Sequence, residues 1–145
     1  MHNKKKFKVV IESEHDAYVV HCPALDISSQ GNSVKEARQN INEAIELFLK
    51  IASKKEVRER ISSRASRLSR INWGSLVIMS GEQVCDLYSQ RGFRSVRRQG
   101  CHTIIQKSSA DSTTTIPVPN YSQLKQGTLW SILWQSMFST RELES

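Results

Sequence analysis

Gly92-Phe93-Arg94-Ser95-Val96-Arg97-Arg98-Gln99-Gly100-Cys101-His102-Thr103-Ile104-Ile105-Gln106-Lys107 decides how the second half of this chain folds. Residues 93–98 and 101–107 read as two short strands joined at Gln99-Gly100, a pair suited to a tight turn. Arg94, Arg97 and Arg98 lie on the first strand, and His102 stands early in the second. An unperturbed imidazole titrates near ~6.5, so it can take and give a proton close to neutrality. Cations beside a neutral imidazole suit attack on a phosphodiester: the cations, with Lys107 among them, hold phosphate while the imidazole takes a proton from a ribose hydroxyl. An isolated histidine on a strand is more often structural, so the rest of the chain has to carry the assignment.

Outward from this hairpin the elements follow in both directions. Ser80 with Gln83 three residues on forms a capping box, and Val84, Leu87 and Tyr88 give the helix behind it an apolar face that Gly92 closes. Residues 113–118 form a third strand, placed at an edge by Pro117 and Pro119, which lack N–H donors. Thr128 caps a last helix with Leu129, Ile132, Leu133 and Met137 as core positions. The order is α-β-β-β-α. Trp130 and Trp134 share one side of that last helix, where they serve as extra core or as an interface for docking or base stacking.

Before residue 53 the pattern differs. Residues 7–12 and 17–22 read as strands joined through Ser13-Glu14-His15-Asp16, and a weaker third strand covers 27–31. Ser33 with Glu36 predicts another capping box, followed by Ala37, Ile41, Ala44, Ile45, Phe48 and Leu49 at helical spacing. The order is β-β-β-α. The acidic residues Asp16, Asp26, Glu36, Glu43 and Glu46 read as turn and solvated helix charges.

The chain has 145 residues and a net charge of +7, with 38% hydrophobic and 24% charged residues, which suits soluble globular structure rather than disorder. The charge is uneven: residues 1–52 are balanced, 53–75 carry seven basic against two acidic residues, and 76–145 carry seven against five. The basic stretch 53–78 reads as a partly helical linker, either solvated or acting as an RNA-contacting arm. Cys22, Cys85 and Cys101 are far apart and lack ligand spacing, so neither a disulfide framework nor a metal site is expected, and no cofactor is implied. No apolar run reaches membrane-span length, and residues 7–11 are too short for a signal-peptide core, so the expected location is cytoplasmic.

Two resemblances sharpen these readings. Tyr18-Val19-Val20, Cys22-Pro23-Ala24-Leu25, Ser29-Gln30-Gly31-Asn32-Ser33 and Glu36-Ala37…Asn40-Ile41…Glu43-Ala44-Ile45 resemble the HicB antitoxin family, which implies a partial RNase-H-like fold. Gly92-Phe93, Arg97, Gly100-Cys101-His102, Ile116-Pro117-Val118-Pro119 and Lys125–Leu133 resemble the HicA toxin family. That resemblance implies a double-stranded-RNA-binding-like fold and mRNA cleavage, with His102 as the active residue. Cys101 stands where the family usually has Ser, Thr103 where many relatives have a second His, and Trp130 and Trp134 where basic residues are favoured.

The chain therefore reads as an α+β fusion: a HicB-like unit over 1–52, a linker over 53–78 and a HicA-like unit over 79–145. The expected activity is metal-independent mRNA endonucleolysis by His102, restrained by the first unit. The expected partners are mRNA, a HicA- or HicB-type chain in cis or in trans, and a second copy of the chain. Nothing supplies the DNA-binding segment with which HicB proteins usually continue, so operator binding is not expected. The alternatives are a catalytically silent RNA-binding protein and an antitoxin that sequesters a separate toxin.

Overall fold

Alternating apolar residues in the first forty positions build a meander. In the computed structural model, which describes residues 7–67 and 78–138, β1 (Val10–Glu14), β2 (Ala17–Cys22) and β3 (Ile27–Gly31) form an antiparallel sheet in that order. α1 (Val34–Ile51) follows and lays Ala37, Ile41, Ala44, Ile45 and Phe48 on Val20, Cys22, Leu25 and Ile27. A second antiparallel sheet holds β4 (Arg94–Gln99), β5 (His102–Ser108) and β6 (Thr113–Pro119), again in chain order. The fold is thus α+β, with two three-stranded sheets and four helices among the described residues. β6 lies at a sheet edge, as its two prolines require. No helix among these residues is long and apolar enough to cross a membrane.

Pairing sorts the side chains of the second sheet onto two faces. Gln99 pairs with His102, which pairs with Pro119, while Arg98 pairs with Thr103, which pairs with Val118. Ile105, Ile116 and Val118 form a core with Val84 and Tyr88 of α3 (Gly81–Ser89) and with Leu129 and Ile132 of α4 (Gln126–Phe138). The His102 face looks the other way, toward the first half of the chain. Each face is covered, so the sheet is a middle layer.

α1 is the helix that reaches both ways. Its apolar stripe serves the first sheet, while Glu36, Asn40, Glu43 and Leu47 recur at i, i+4, i+7 and i+11 on a second stripe. Asn40 and Leu47 are buried there, whereas Leu49, expected in the core, is 40% exposed. The capping box expected of Ser33 is half made: its hydroxyl accepts from the Glu36 N–H at 3.0 Å, but the Glu36 carboxylate accepts instead from the Tyr121 hydroxyl.

The last helix also begins for a reason that lies outside its own sequence. α4 starts at Gln126, two residues before the expected cap Thr128, which is buried inside the helix. The Glu14 carboxylate accepts from the Gln126 N–H at 2.7 Å and from the Gly127 N–H at 3.2 Å, and so caps the helix from across the chain. A Cβ on Gly127 would stand 3.0 Å from a Val19 methyl group, so any other residue would need Val19 to shift by a few tenths of an ångström. The side chain of Met137, expected in the core, lies outside the described residues.

Residues read as a solvated linker include α2 (Lys54–Arg67), and that helix is docked. Lys54, Lys55 and Arg58 are exposed, but Glu56 and Arg60 are 5% and 2% exposed. The Glu56 carboxylate accepts from the Thr115 N–H and hydroxyl and from the Thr113 hydroxyl. Arg60 donates to the Leu25 carbonyl at 2.9 Å, to Gln135 Oε1 at 2.8 Å and to the Thr115 carbonyl, and its guanidinium lies 4.6 Å from the centre of the Phe48 ring. Glu56 and Arg60 are themselves 3.5 Å apart. The rest of the stretch read as a linker, 68–77, lies outside the described residues.

Removing one partner of a buried ion pair leaves the other charged and desolvated. Arg60→Ala is therefore expected to lower the unfolding free energy by about 3–5 kcal/mol, whereas the exposed Arg58→Ala stays within about 0.5 kcal/mol. Urea unfolding of the full chain checks both, and equal effects would remove Arg60 from its central role.

Candidate active site and the contacts that cover it

His102 is fully buried, and both of its ring nitrogens are engaged by the first half of the chain. Nδ1 lies 2.7 Å from Glu43 Oε1, and Nε2 lies 2.9 Å from Ser29 Oγ. A carboxylate only accepts, so Nδ1 carries the proton; the lone pair of Nε2 then accepts from the Ser29 hydroxyl. Burial drives the pKa of His102 down, and the hydrogen bond and charge of Glu43 only partly oppose this. The imidazole is neutral at pH 7 but has no nitrogen left for a substrate.

Ser29, His102 and Glu43 have the connectivity of a hydrolase triad, yet Ser29 is fully buried inside β3. No path for an acyl or phosphoryl substrate reaches its hydroxyl, so the arrangement is a closed clasp.

Glu43 does more than hold the ring. The same Oε1 accepts from the Cys101 N–H at 2.9 Å. Gly100 sits at φ +59 in the hairpin turn, and a Cβ there would lie 1.7 Å from Glu43 Oε2. Glycine is thus required twice, for the left-handed turn and for the approach of the carboxylate. Beside this clasp, Asn40 donates to the Gln30 carbonyl at 2.7 Å and to the Tyr121 hydroxyl at 2.8 Å. The Tyr121 hydroxyl is held far above its ordinary pKa by burial and by Glu36. Gln30 donates to the Gln123 carbonyl and accepts from the Lys125 N–H, at 3.0 and 2.8 Å.

The expected RNA-binding cations are only partly gathered. Arg94, Arg97 and Arg98 are all exposed on β4. Arg97 and Arg98 lie near the His102 end of the hairpin, whereas Arg94 pairs with Gln106 at the other end. Lys107 stands five residues from His102 along β5, roughly 17 Å for an extended strand, with its ammonium 6.0 Å from the centre of the Phe93 ring. Thr103 points to the opposite face, where its hydroxyl donates to Asn120 Oδ1 at 2.9 Å. A second histidine at position 103 would not share the His102 face.

Trp130 and Trp134 are half-buried. On the neighbouring stripe of α4, Gly127 approaches Val19, Ser131 donates to the Asp26 carbonyl at 3.2 Å, and Gln135 meets Arg60. Glu36, Glu43 and Asp26 are not the solvated charges that their sequence context suggests: the first two bind across the halves, and Asp26 is 2% exposed. Asp16 is solvated as expected, although it lies 3.7 Å from Lys125. Among the described residues no group of three or more His, Cys, Asp or Glu side chains is placed to hold a metal ion.

No family model, curated protein or solved structure matches this chain.

A histidine whose folded-state pKa is depressed stabilises the fold above its unfolded value. That contribution is lost as the pH falls from ~6.5 through the folded pKa. The stability of the full chain is expected to drop between pH 7 and pH 5 by more than that of His102→Gln. Urea unfolding at both pH values gives the double difference, and identical pH slopes would mean that His102 titrates as it does unfolded.

Proposed function

We propose that this chain is a toxin–antitoxin fusion in which a HicA-like second half cleaves mRNA and a HicB-like first half restrains it in cis. The observation that carries this reading is the double engagement of His102 by Ser29 and Glu43. Support also comes from the β-β-β-α and α-β-β-β-α orders, which are those of a partial RNase-H-like unit and a double-stranded-RNA-binding-like unit.

In the freed second half His102 acts as general base. It takes the proton of a ribose 2′-hydroxyl, the 2′-oxygen bonds to phosphorus, and the 5′-oxygen leaves and is protonated by water. Arg97, opposite Ile104 on the His102 face of the sheet, supplies positive charge for the phosphate, and the Cys101 N–H donates to one of its oxygens. Glu43 now occupies that place: a carboxylate accepting from a backbone N–H and an imidazole makes the hydrogen bonds that a phosphate oxygen would make. The first half is already seated on the second, which weighs against a chain devoted to capturing a separate toxin.

Charge reversal at the clasp tests this directly. Glu43→Arg sets a cation against the donors of His102 and Cys101, so the full-length variant is expected to cleave a test RNA that the parent chain leaves intact. Adding His102→Ala should then reduce the rate by about 10²–10⁴-fold. A folded Glu43→Arg chain with no cleavage would overturn the enzyme reading, and a gel-shift assay of the same chain with the test RNA would then decide for or against the silent RNA-binding alternative.

A further inference from the structure

His102 can take the proton of a 2′-hydroxyl, but the departing 5′-oxygen needs one. The group that gives it has to stand across the phosphorus from the base. Among the described residues, Tyr121 brings a hydroxyl to that neighbourhood. His102 pairs with Pro119, and the Asn120 N–H donates to the Cys101 carbonyl at 2.7 Å, so the chain reaches residue 121 alongside the hairpin turn. The Tyr121 carbonyl accepts from the Gly81 N–H at 2.9 Å, and its ring packs against the core of the second half. Backbone and ring therefore stay with His102 when the halves part.

The hydroxyl is held differently. Phenylalanine would fill the same space, and the phenol oxygen finds its hydrogen-bond partners on α1. It donates to the Glu36 carboxylate and accepts from Asn40 at 2.8 Å. Glu43, which accepts from Nδ1 of His102, follows on the same stripe of that helix. Residues 36 and 40 precede it by seven and three positions, roughly 10.5 and 4.5 Å along the helix axis. The Tyr121 hydroxyl and the imidazole thus both face α1, set apart along it, each with a proton aimed at a carboxylate. An in-line displacement asks for such a spacing, because its two apical oxygens lie on opposite sides of phosphorus.

We propose that Tyr121 is the general acid of this reaction and that Glu36 restrains it in the closed chain. The inference rests on the reading of the second half as a nuclease. His102 takes the proton of the 2′-hydroxyl, and the 2′-oxygen bonds to phosphorus. The bond from phosphorus to the 5′-oxygen breaks, and the Tyr121 proton passes to that oxygen in place of one from water. The products are a 2′,3′-cyclic phosphate and a 5′-hydroxyl; the imidazolium then gives its proton to water and the phenolate regains one. In the closed chain, burial and Glu36 hold the Tyr121 hydroxyl far above its ordinary pKa. Departure of α1 therefore strengthens the acid in the same movement that frees the base.

Tyr121→Phe separates this role from a structural one by the sign of its effect. The substitution removes two hydrogen bonds between the halves, so a hydroxyl that served only as a latch would leave cleavage faster once it was gone. In the full-length Glu43→Arg chain, opened at the clasp, Tyr121→Phe is expected instead to slow cleavage of a test RNA by about 10²-fold. A second substrate carries sulfur in place of the scissile 5′-oxygen. Its leaving group is a thiolate, which departs without a proton, so the Glu43→Arg chain should cut it equally well with and without Tyr121→Phe. That equality also shows that the variant is folded. Unchanged or faster cleavage of the all-oxygen RNA after Tyr121→Phe, or a loss of the same size on both substrates, would overturn the assignment. A Glu43→Arg chain that cuts neither substrate would refute the nuclease reading itself, and this inference with it.

Discussion

A guanidinium that is 2% exposed has to have its donors satisfied by the protein, and Arg60 finds acceptors in three separate parts of the chain. The Leu25 carbonyl belongs to the connection between β2 and β3, the Thr115 carbonyl to β6, and Gln135 to α4. Glu56, one turn earlier, lies beside this cation and takes donors from Thr113 and Thr115. Its carboxyl is pushed up by desolvation, and Arg60 and the threonine donors only partly offset that shift. Neither charge is tolerable in the interior without the other. Their burial therefore requires both sheets and α4 to be in place together, and this constraint joins the two halves into one structure.

The strands and helices were largely legible because each half obeys local rules. The alternation in 17–22, the capping box of Ser80 with Gln83, and the prolines of β6 all act within a few residues. What could not be read was everything decided across the halves. Leu49 and Leu47 are both apolar, and only the second stripe of α1 makes Leu47 the buried one. Thr128 is a fair cap by sequence, yet Glu14, more than a hundred residues away, starts α4 earlier. His102 was found from its place after Gly100-Cys101. Glu43 and Ser29 were missed because a glutamate on a helix with polar neighbours has the pattern of a solvated charge. One signal was available: Glu36, Asn40 and Glu43 repeat at helical spacing beside the main apolar stripe. Such a polar stripe is what a helix shows when its second face meets a polar surface.

That surface is polar for a physical reason. Glu14, Glu43 and Glu56 each accept from backbone N–H groups of the second half: at the start of α4, at Cys101 and at Thr115. An apolar cover would leave these donors buried and unpaired, at about 1–3 kcal/mol each. A carboxylate satisfies them and adds charge, but its own desolvation reduces the net gain. The resulting contacts are specific in geometry and moderate in strength, since water can replace each one when the halves part.

Separation is nonetheless cooperative. α2 follows α1 after a break of two residues, Ala52 and Ser53, so the helix that bears Glu43 and the helix that bears Glu56 and Arg60 move as near neighbours. Lifting Glu43 off His102 by moving α1 pulls on Leu25, Phe48 and α2 together, and so breaks the buried ion pair as well as the clasp. A population of one open molecule in a hundred needs only about 2.7 kcal/mol, and one in ten thousand about 5.5 kcal/mol. The clasp on His102 alone, two hydrogen bonds of which one is charge-assisted, falls near the lower figure at best. Coupling to Arg60 raises the cost of opening toward the higher one. The residue that closes the candidate site and the residue that holds the fold therefore lie on consecutive helices, and neither gives way without loading the other.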